Sequence, residues 1–309
     1  MAEPKLTIIM YHYVRPLEQT RYPAIKARRL SEFKSQLAYI KSTFQAVTVQ
    51  QLVAYFREGE PLPPNAALLT FDDGYLDHYT YVFPLLHDSG IQGLFFPVVD
   101  SARNGKLLDV NRIHLLLAST EDTRLLVNEI NQCLPSYGIS PEPYWSEYGK
   151  PGRFDAAEVV YVKYMLQAVL PEEIRYEITG RLFQKFVSID ESALVREWYM
   201  DIDQLRTMQN CGMYIGSHGT THRWLTSVSP AVQREEIEKS LAFLRDVGSP
   251  VDDYWALSYP SGVYDESICT ILKDRGCSLA LTTEVGVADL AKCNPLLLPR
   301  LDTNDLPTC

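Results

Sequence analysis

The chain has 309 residues and carries 29 Lys and Arg against 39 Asp and Glu, which gives a formal net charge of -10. This length suits one large domain or two ordinary ones. The acidic balance argues against a nucleic-acid partner and against an anionic membrane surface, because both favour a basic footprint.

The cysteines and the N-terminus bear on the cellular compartment. The six cysteines form no C-x-x-C pair, which excludes a zinc ribbon and a thioredoxin-type motif. We expect reduced thiols in a cytoplasmic protein, because the N-terminus lacks the pattern of a signal peptide. No stretch of sequence is long and apolar enough to span a membrane. The sequence leaves the oligomeric state open, a homo-oligomer included.

Short apolar, β-rich runs alternate with amphipathic segments along most of the chain, which is typical of parallel βα architecture. The predicted strands cover residues 6–11, 67–71, 93–99, 213–216, 254–259, 279–282 and 296–301. About seven strands, each followed by a helix or a long loop, predict an α/β fold with a distorted, incomplete (β/α)7-type barrel. A doubly wound open sheet is the alternative fold.

Several helices have recognisable ends. Thr48-x-x-Gln51 and Asp201-x-x-Gln204 have the spacing of capping boxes. Ser229 and Pro230 are typical of an N-cap and a first helical position, and that helix is predicted to end near Gly248.

Residues from about 101 to 197 contain no convincing strand. Helical patterns occupy residues 109–119, 123–131, 155–170 and 172–186, and residues 141–153 are predicted to form a loop. A stretch of this length is not expected to be structureless. We therefore predict a single domain over residues 1–309 with a helical insertion at about 101–197. A lid, a specificity cap, an oligomerisation surface and a plain helical elaboration all remain open as its role.

Two adjacent carboxylates, Asp72 and Asp73, end the apolar run of the second predicted strand. Successive strand side chains point to opposite faces, so both carboxylates can reach one cleft only if the backbone turns. Gly74 follows and permits such a turn. The pair can then divide labour between metal binding and proton transfer, or it can mark an ordinary strand-to-turn exit.

A second signal strengthens the first. His218 and His222 follow the fourth predicted strand at i and i+4, a spacing that lets two imidazoles bind one metal ion. Taken alone, such a pair is more often a surface or core feature. Barrel enzymes place catalytic groups at the carboxyl ends of their strands, where both signals lie. Asp73, His218 and His222 would leave a coordination position open for water, as catalytic metal sites do.

The chain resembles the polysaccharide deacetylase superfamily, the NodB-homology or carbohydrate esterase family 4 enzymes. The motifs that carry this resemblance are T-F-D-D-G at 70–74, S-H-G-T-T-H at 217–222 and Y-P-S-G at 259–262. The resemblance implies a distorted (β/α) barrel and metal-dependent removal of an acyl group from an amino sugar. By motif position it implies that Asp73, His218 and His222 are metal ligands and that Asp72 is the general base.

The chain departs from the family pattern in three places. Gly219 stands where Ser or Thr usually follows the first His, and the third motif is a Y-P-x-G variety that lacks its usual Arg. No His follows His222, so the usual late general acid is missing. We expect Arg300 to replace the Arg by pairing with Asp72. His12 is the candidate acid or a substrate contact. The alternatives are a surface ion pair for Arg300 and a core histidine for His12.

Other residues are predicted to contact the substrate. The turn at 259–262 places Tyr259 and Ser261 there, with the Ser261 N–H as an oxyanion donor. Arg300 is also a candidate contact, and Trp224 is a candidate pocket wall. The metal is expected to be Zn²⁺, although Co²⁺, Ni²⁺ and Mn²⁺ compete for the same ligands.

The leading function hypothesis is removal of an acetyl or formyl group from an amino sugar. A cytoplasmic enzyme would meet a nucleotide-linked or lipid-linked precursor of a surface glycan as its small-molecule substrate. One alternative is hydrolysis of a non-sugar amide or cyclic imide. Another is a non-catalytic sugar-binding protein with a vestigial site.

Overall fold

The structure is a computed structural model that describes residues 4–187 and 189–308. Its contacts divide the chain into two compact units. The first unit comprises Met1–Pro16, Ala27–Lys106 and Val195–Cys309, and the second comprises Leu17–Lys26 and Leu107–Leu194. The single domain with an insertion at about 101–197 stays a prediction.

The first unit contains a parallel sheet that curls into a barrel. Its barrel strands, numbered in chain order, are β1 (Lys5–Tyr11), β2 (Ala66–Asp73), β3 (Gly93–Pro97), β4 (Tyr214–Ile215), β5 (Trp255–Ser258), β6 (Cys277–Val285) and β7 (Leu298–Asp302). Neighbouring strands follow the order β4-β3-β2-β1-β7-β6-β5, and every pair in it is parallel. Each predicted strand is present, and the distorted barrel is confirmed over the open sheet.

The two outer strands of this order meet at a short seam. Ser217 and Leu257 form a parallel bridge that joins the end of β4 to β5. The Ser217 N–H donates to the Ala256 carbonyl at 2.9 Å, and the Ser258 N–H donates to the Ser217 carbonyl at 2.9 Å. The ring therefore closes at Ser217, the residue directly before His218.

The two faces of the strands have different surroundings. One face packs with the helices and includes Leu69, Phe71, Phe95, Leu257 and Tyr259. The other face forms a second apolar cluster shared by all the barrel strands, and it lines the inside of the ring. The interior positions near the carboxyl ends are polar, because Thr70, Asp72, Ser258 and Arg300 are all buried there.

The helices largely follow the predicted patterns. The capping boxes at Thr48 and Asp201 are confirmed, and the helix that starts at Pro230 ends at Gly248 with a φ of 94°. The α-helices are Leu30–Thr43, Val49–Glu58, Phe83–Asp88, Val99–Ala102, Asp109–Ser119, Thr123–Cys133, Glu142–Tyr148, Ala157–Tyr164, Glu172–Phe186, Glu191–Trp198, Ile202–Asn210, Pro230–Val247 and Glu266–Asp274. Wider helical turns occupy His78–Val82 and Met165–Val169.

The second unit is helical in its described part and has its own apolar core, which includes Ile113, Ile130, Leu166 and Leu182. The loop predicted over 141–153 was wrong, because it contains the helix Glu142–Tyr148. Proline is compatible with the first turn of a helix, so the proline-rich stretch does not prevent this one.

Two further sequence expectations concern the whole chain. Within residues 4–187 and 189–308, no helix combines the length and apolar character that a bilayer crossing requires. The cysteines of that same part of the chain, Cys133, Cys211, Cys269, Cys277 and Cys293, are free thiols. Cys309 lies outside the described residues.

Candidate metal centre

The end of β2 turns so that both carboxylates serve the same cleft. Strand alternation places Asp72 inside the ring with Thr70 and would point Asp73 towards the helices. Asp73 instead has a φ of 71°, a left-handed conformation that is uncommon for a residue with a Cβ. Gly74 follows with a φ of 72°, and a Cβ there would lie 2.8 Å from Cβ of Pro97. The turn therefore depends on glycine at position 74.

Gly74→Ala is expected to destabilise the fold by more than the left-handed backbone alone costs, which is about 1–2 kcal/mol. The additional cost comes from the contact with Pro97. Gly59→Ala is the matched control, because Gly59 has a φ of 77° and nothing within 4 Å of an added Cβ. Urea denaturation of both variants measures the difference. Equal losses of unfolding free energy would contradict the close packing at Gly74.

The side chains of three residues converge from the ends of β2 and β4: Asp73, His218 and His222. The Oδ1 atom of Asp73 lies 3.3 Å from Nε2 of His218 and 3.3 Å from Nε2 of His222. One donor atom from each residue lies within 4.8 Å of the other two. His222 also has a left-handed backbone, with a φ of 60°. Backbone strain of this kind is concentrated at functional sites, because the surrounding structure must hold it in place.

The donor atoms of these residues fit a divalent metal ion. Nδ1 of His218 donates to the Ser258 carbonyl at 2.7 Å, which leaves a lone pair on Nε2. Oδ1 of Asp73 is buried and accepts no hydrogen bond from the described residues, while Oδ2 accepts one from the Tyr75 hydroxyl at 2.6 Å. Lone pairs that face each other at this distance need a positive charge between them. Two imidazoles and a carboxylate form a set of zinc-type ligands.

The charges around Asp73 favour its ionised form. Burial by itself would raise the pKa of the Asp73 carboxyl. With no cation bound, hydrogen bonding from His218 and His222 and the positive charge of His222 and His12 outweigh burial and hold that pKa well below its usual range. A carboxylate that stays ionised in a buried site is the form that a metal cation requires.

Asp72 forms a buried ion pair with Arg300. Nη2 of Arg300 lies 2.9 Å from Oδ2 of Asp72, and Nη1 donates to Oδ1 at 3.1 Å. The remaining guanidinium N–H groups donate to Thr70, Ser258 and Thr282. Burial raises the pKa of Asp72, but Arg300, His218 and His12 together lower it below its usual value. Asp72 is therefore held as an oriented carboxylate.

Arg300 stands where the sequence predicted a partner for Asp72. Its side chain has no exposed surface, and the contacts above occupy all five of its N–H donors. Arg300 is thus confirmed as the partner of Asp72, and its contact with a substrate stays a prediction.

His12 lies at the end of β1, beside the buried ion pair. Its Nε2 atom is 4.0 Å from Oδ2 of Asp72, and its side chain is 41% exposed. His78 donates from Nε2 to the His12 carbonyl at 2.7 Å, and burial lowers the pKa of His78 to about 4. A neutral, buried His78 therefore anchors the backbone of a histidine that solvent and ligands can reach.

The remaining predicted contacts differ in their placement. Tyr259 faces the helices, and its buried hydroxyl donates to the Leu296 carbonyl at 3.0 Å. Its contact with a substrate stays a prediction. Ser261 is exposed and has a left-handed backbone, with a φ of 57°. Trp224 is half-buried, two residues after His222. The roles of Ser261 and Trp224 stay predictions.

The sequence motifs did not identify Tyr75 or His78 as residues of this site. Tyr75 donates to Asp73, and its ring stacks on Tyr13 with centroids 4.1 Å apart. Tyr75 directly follows the T-F-D-D-G motif and His78 lies four residues after it, which was the available signal. Their proximity to the site depends on the left-handed turn at residues 73 and 74, which the sequence alone does not specify.

Comparisons with known proteins agree with this geometry. Residues 179–280 match the family model described as polysaccharide deacetylase, a span that includes His218 and His222. Among curated proteins, the poly-beta-1,6-N-acetyl-D-glucosamine N-deacetylase of Escherichia coli (strain K12) is 39% identical over 71 residues, which is 23% of this chain and 11% of that protein. The putative polysaccharide deacetylase YxkH of Bacillus subtilis (strain 168) is 26% identical over 95 residues, which is 30% of this chain and 32% of that protein. The chain thus matches only a minor part of the length of these relatives.

Solved structures resemble nearly the whole chain. The Streptococcus pyogenes deacetylase PplD, solved in complex with acetate, has a TM-score of 0.61 at 16% identity and covers 97% of this chain and 93% of its own. IcaB from Ammonifex degensii has a TM-score of 0.55 at 19% identity, and the match covers 96% of this chain and 91% of that protein. Identities this low show a shared fold. The chain is therefore similar to polysaccharide deacetylases in its barrel, in the matched residues 179–280 and in the motifs at the ends of its strands.

Proposed function

We propose that this protein is a metal-dependent hydrolase that removes an N-acyl group, in the first instance acetyl, from an amino sugar. The observation that carries the proposal is the unsatisfied Asp73 oxygen between two imidazoles, beside a second carboxylate that Arg300 keeps ionised. The activity named for the Escherichia coli relative supports the same reaction class.

Asp73, His218 and His222 would hold the metal, for which we propose Zn²⁺. A divalent cation there supplies Lewis acidity towards the amide oxygen and lowers the pKa of a water molecule. Tyr75 and the Ser258 carbonyl orient two of the ligands through hydrogen bonds, as outer partners of metal ligands commonly do.

Asp72 is the proposed general base. It lies outside the donor group, next to Asp73 in the chain, and takes the proton of the attacking water. Arg300 and Ser258 fix its two oxygens, so the carboxylate has little freedom to rotate. The Arg300 charge also keeps Asp72 in the form that can accept a proton.

His12 is the proposed proton donor to the leaving amine. It is the exposed histidine next to Asp72, and His78 holds its backbone in place. Transfer from an imidazolium to the amine completes the proton balance, because Asp72 has taken a proton from water. The Ser261 N–H is the proposed donor to the developing oxyanion.

The substrate is proposed at two levels. An N-acetylated glucosamine chain is favoured, because the Escherichia coli relative is named for such a polymer. A nucleotide-linked or lipid-linked amino sugar and a non-sugar amide remain alternatives within the same chemistry. A vestigial sugar-binding site is disfavoured by the intact donor set and by the presence of a partner for Asp72.

Amine release tests the proposal directly. The metal-depleted protein is reloaded with Zn²⁺ or Co²⁺ and assayed on β-1,6-linked N-acetylglucosamine oligomers, a sugar nucleotide carrying N-acetylglucosamine, and an N-formyl analogue. We expect metal-dependent release from at least one acylated sugar and none after chelation. Asp73→Ala is expected to lose both the stoichiometric metal and the activity, because it removes the only carboxylate of the donor group.

Two results would contradict the proposal. Activity that survives both chelation and Asp73→Ala would remove the metal from the mechanism. A wild-type protein that holds metal and releases no amine from any of these sugars would favour the non-sugar amide instead.

A further inference from the structure

The loop that carries both histidines, residues 217–222, is fastened to the helix Pro230–Val247 by a buried carboxylate. Oε2 of Glu236 accepts the N–H groups of Thr220 and Thr221 at 2.9 and 3.0 Å. Oε1 accepts the Thr221 hydroxyl at 2.9 Å. The Glu236 carbonyl accepts the Thr220 hydroxyl at 2.8 Å. Glu236 is only 6% exposed, so these contacts take the place of water.

The same face of the helix holds the beginning of the loop one turn later. The hydroxyl oxygens of Ser240 and Ser217 lie 2.6 Å apart. The Ser217 hydroxyl in turn accepts the Gly219 N–H at 3.2 Å. Residues four apart share a helix face, so Glu236 and Ser240 contact the loop side by side.

The backbone of this loop needs such support. Gly219 and His222, which flank the two threonines, are both left-handed, with φ values of 75° and 60°. For His222 this conformation is strained, because the residue has a Cβ. Successive N–H groups that point to one side form a concave anion site, and the Glu236 carboxylate fills it from within the chain.

Glu236 is not itself a ligand of the donor group. The group comprises Asp73, His218 and His222, and both Glu236 oxygens are taken up by the loop. Arg223 adds a partly buried positive charge, with its Nε 3.7 Å from Oε1 of Glu236. Glu236 therefore contacts the donor group only through the loop, and its charge is the other route by which it can act on a cation.

We propose that Glu236 is a positioning residue of the metal centre. It fixes the loop so that Nε2 of His222 meets Nε2 of His218 and Oδ1 of Asp73 before a cation arrives. The inference rests on the proposed function only in that these three residues bind a divalent cation, and it requires nothing of the substrate.

Three substitutions of Glu236 separate the effect of side-chain length from the effect of charge. Glu236→Gln keeps an oxygen in place to accept both N–H groups and loses the charge. Glu236→Asp keeps the charge and is one methylene too short to reach the loop. Glu236→Ala removes both. Glu235→Ala is the matched control. Glu235 is the exposed neighbour of Glu236, and it pairs with Lys239 on the same helix rather than with the loop.

The probe is Co²⁺, which is titrated into each metal-depleted variant. Its visible spectrum reports the ligand geometry, and competition with a chelator measures the affinity. We expect Glu236→Asp and Glu236→Ala to bind Co²⁺ about 10- to 100-fold more weakly with an altered spectrum. Glu236→Gln and Glu235→Ala should bind close to wild type. Circular dichroism and thermal unfolding without metal show whether each variant is folded. If the alanine variant does not fold, the comparison of Glu236→Asp with Glu236→Gln still tests whether the position of the carboxylate matters.

Wild-type affinity and spectrum in folded Glu236→Asp would overturn the proposal. So would a Glu236→Gln variant as weak as Glu236→Asp, because charge rather than position would then be the cause. Binding is measured without substrate, so a wild-type protein that binds Co²⁺ but cleaves no sugar would refute the proposed reaction and leave this inference standing.

Discussion

Asp72→Asn is expected to lower turnover by about 10²- to 10⁴-fold, the range typical of a lost general base, while the bound metal stays at the wild-type ratio. The amide of Asn cannot take the proton of the attacking water. Asp72 contributes no atom to the donor group, so the ligands stay intact. The measurements are kcat on the best acylated sugar and the metal-to-protein ratio of the same sample.

The control for this result is Asp73→Ala, which should lose metal and activity together. Turnover of Asp72→Asn is normalised to the folded fraction, because Arg300 loses its counter-charge in that variant. A folded, metal-loaded Asp72→Asn enzyme with wild-type turnover would refute the assignment of Asp72 as base.

Arg300→Met is expected to reduce the free energy of unfolding by about 3–5 kcal/mol, the cost of removing one partner of a buried ion pair. Asp72 would remain inside the barrel with its charge uncompensated, since both side chains are almost completely buried. Urea denaturation of the metal-depleted protein measures the loss without a contribution from bound cation.

The double variant Asp72→Asn/Arg300→Met is the control for that prediction. Removing both charges spares the uncompensated carboxylate, so the double variant should recover much of the stability that Arg300→Met loses. A single variant as stable as the wild type would show that the pair contributes no coupling, and Arg300 would then have no role in holding Asp72.

Much of the fold was predictable because its signals are local. Short apolar runs give the strands, and capping residues such as Thr48 and Asp201 give helix starts. The convergence of Asp73 with His218 and His222 was also predictable, because the carboxyl ends of parallel strands meet at one end of a barrel. These inferences need only the strand positions and the direction of the chain.

The parts that are hardest to predict depend on which face of a strand a residue occupies. Ser258 points into the ring towards Arg300, whereas Tyr259, one residue later, points towards the helices. A shift of one residue exchanges the two faces of a strand, and the motif alone does not fix where β5 ends. The motif therefore predicts a substrate contact at Tyr259, whose hydroxyl is buried against Leu296.

The role of Glu236 left no readable trace in the sequence. A glutamate among other charged residues on a helix is typical of a solvated face. Only the packing of the helix against the barrel brings its carboxylate to Thr220 and Thr221, which precede it by 16 and 15 residues. Long-range placement of this kind is set by the tertiary structure.

The seam that closes the barrel also affects the orientation of the His218 imidazole. Ser258 bonds twice across that seam, because its N–H donates to the Ser217 carbonyl while its own carbonyl accepts Nδ1–H of His218. β4 has only two residues, and a single residue pair bridges it to β5, so few main-chain bonds hold the ring closed here. We expect a fluctuation that separates these strands to release the His218 imidazole as well, because both depend on Ser258.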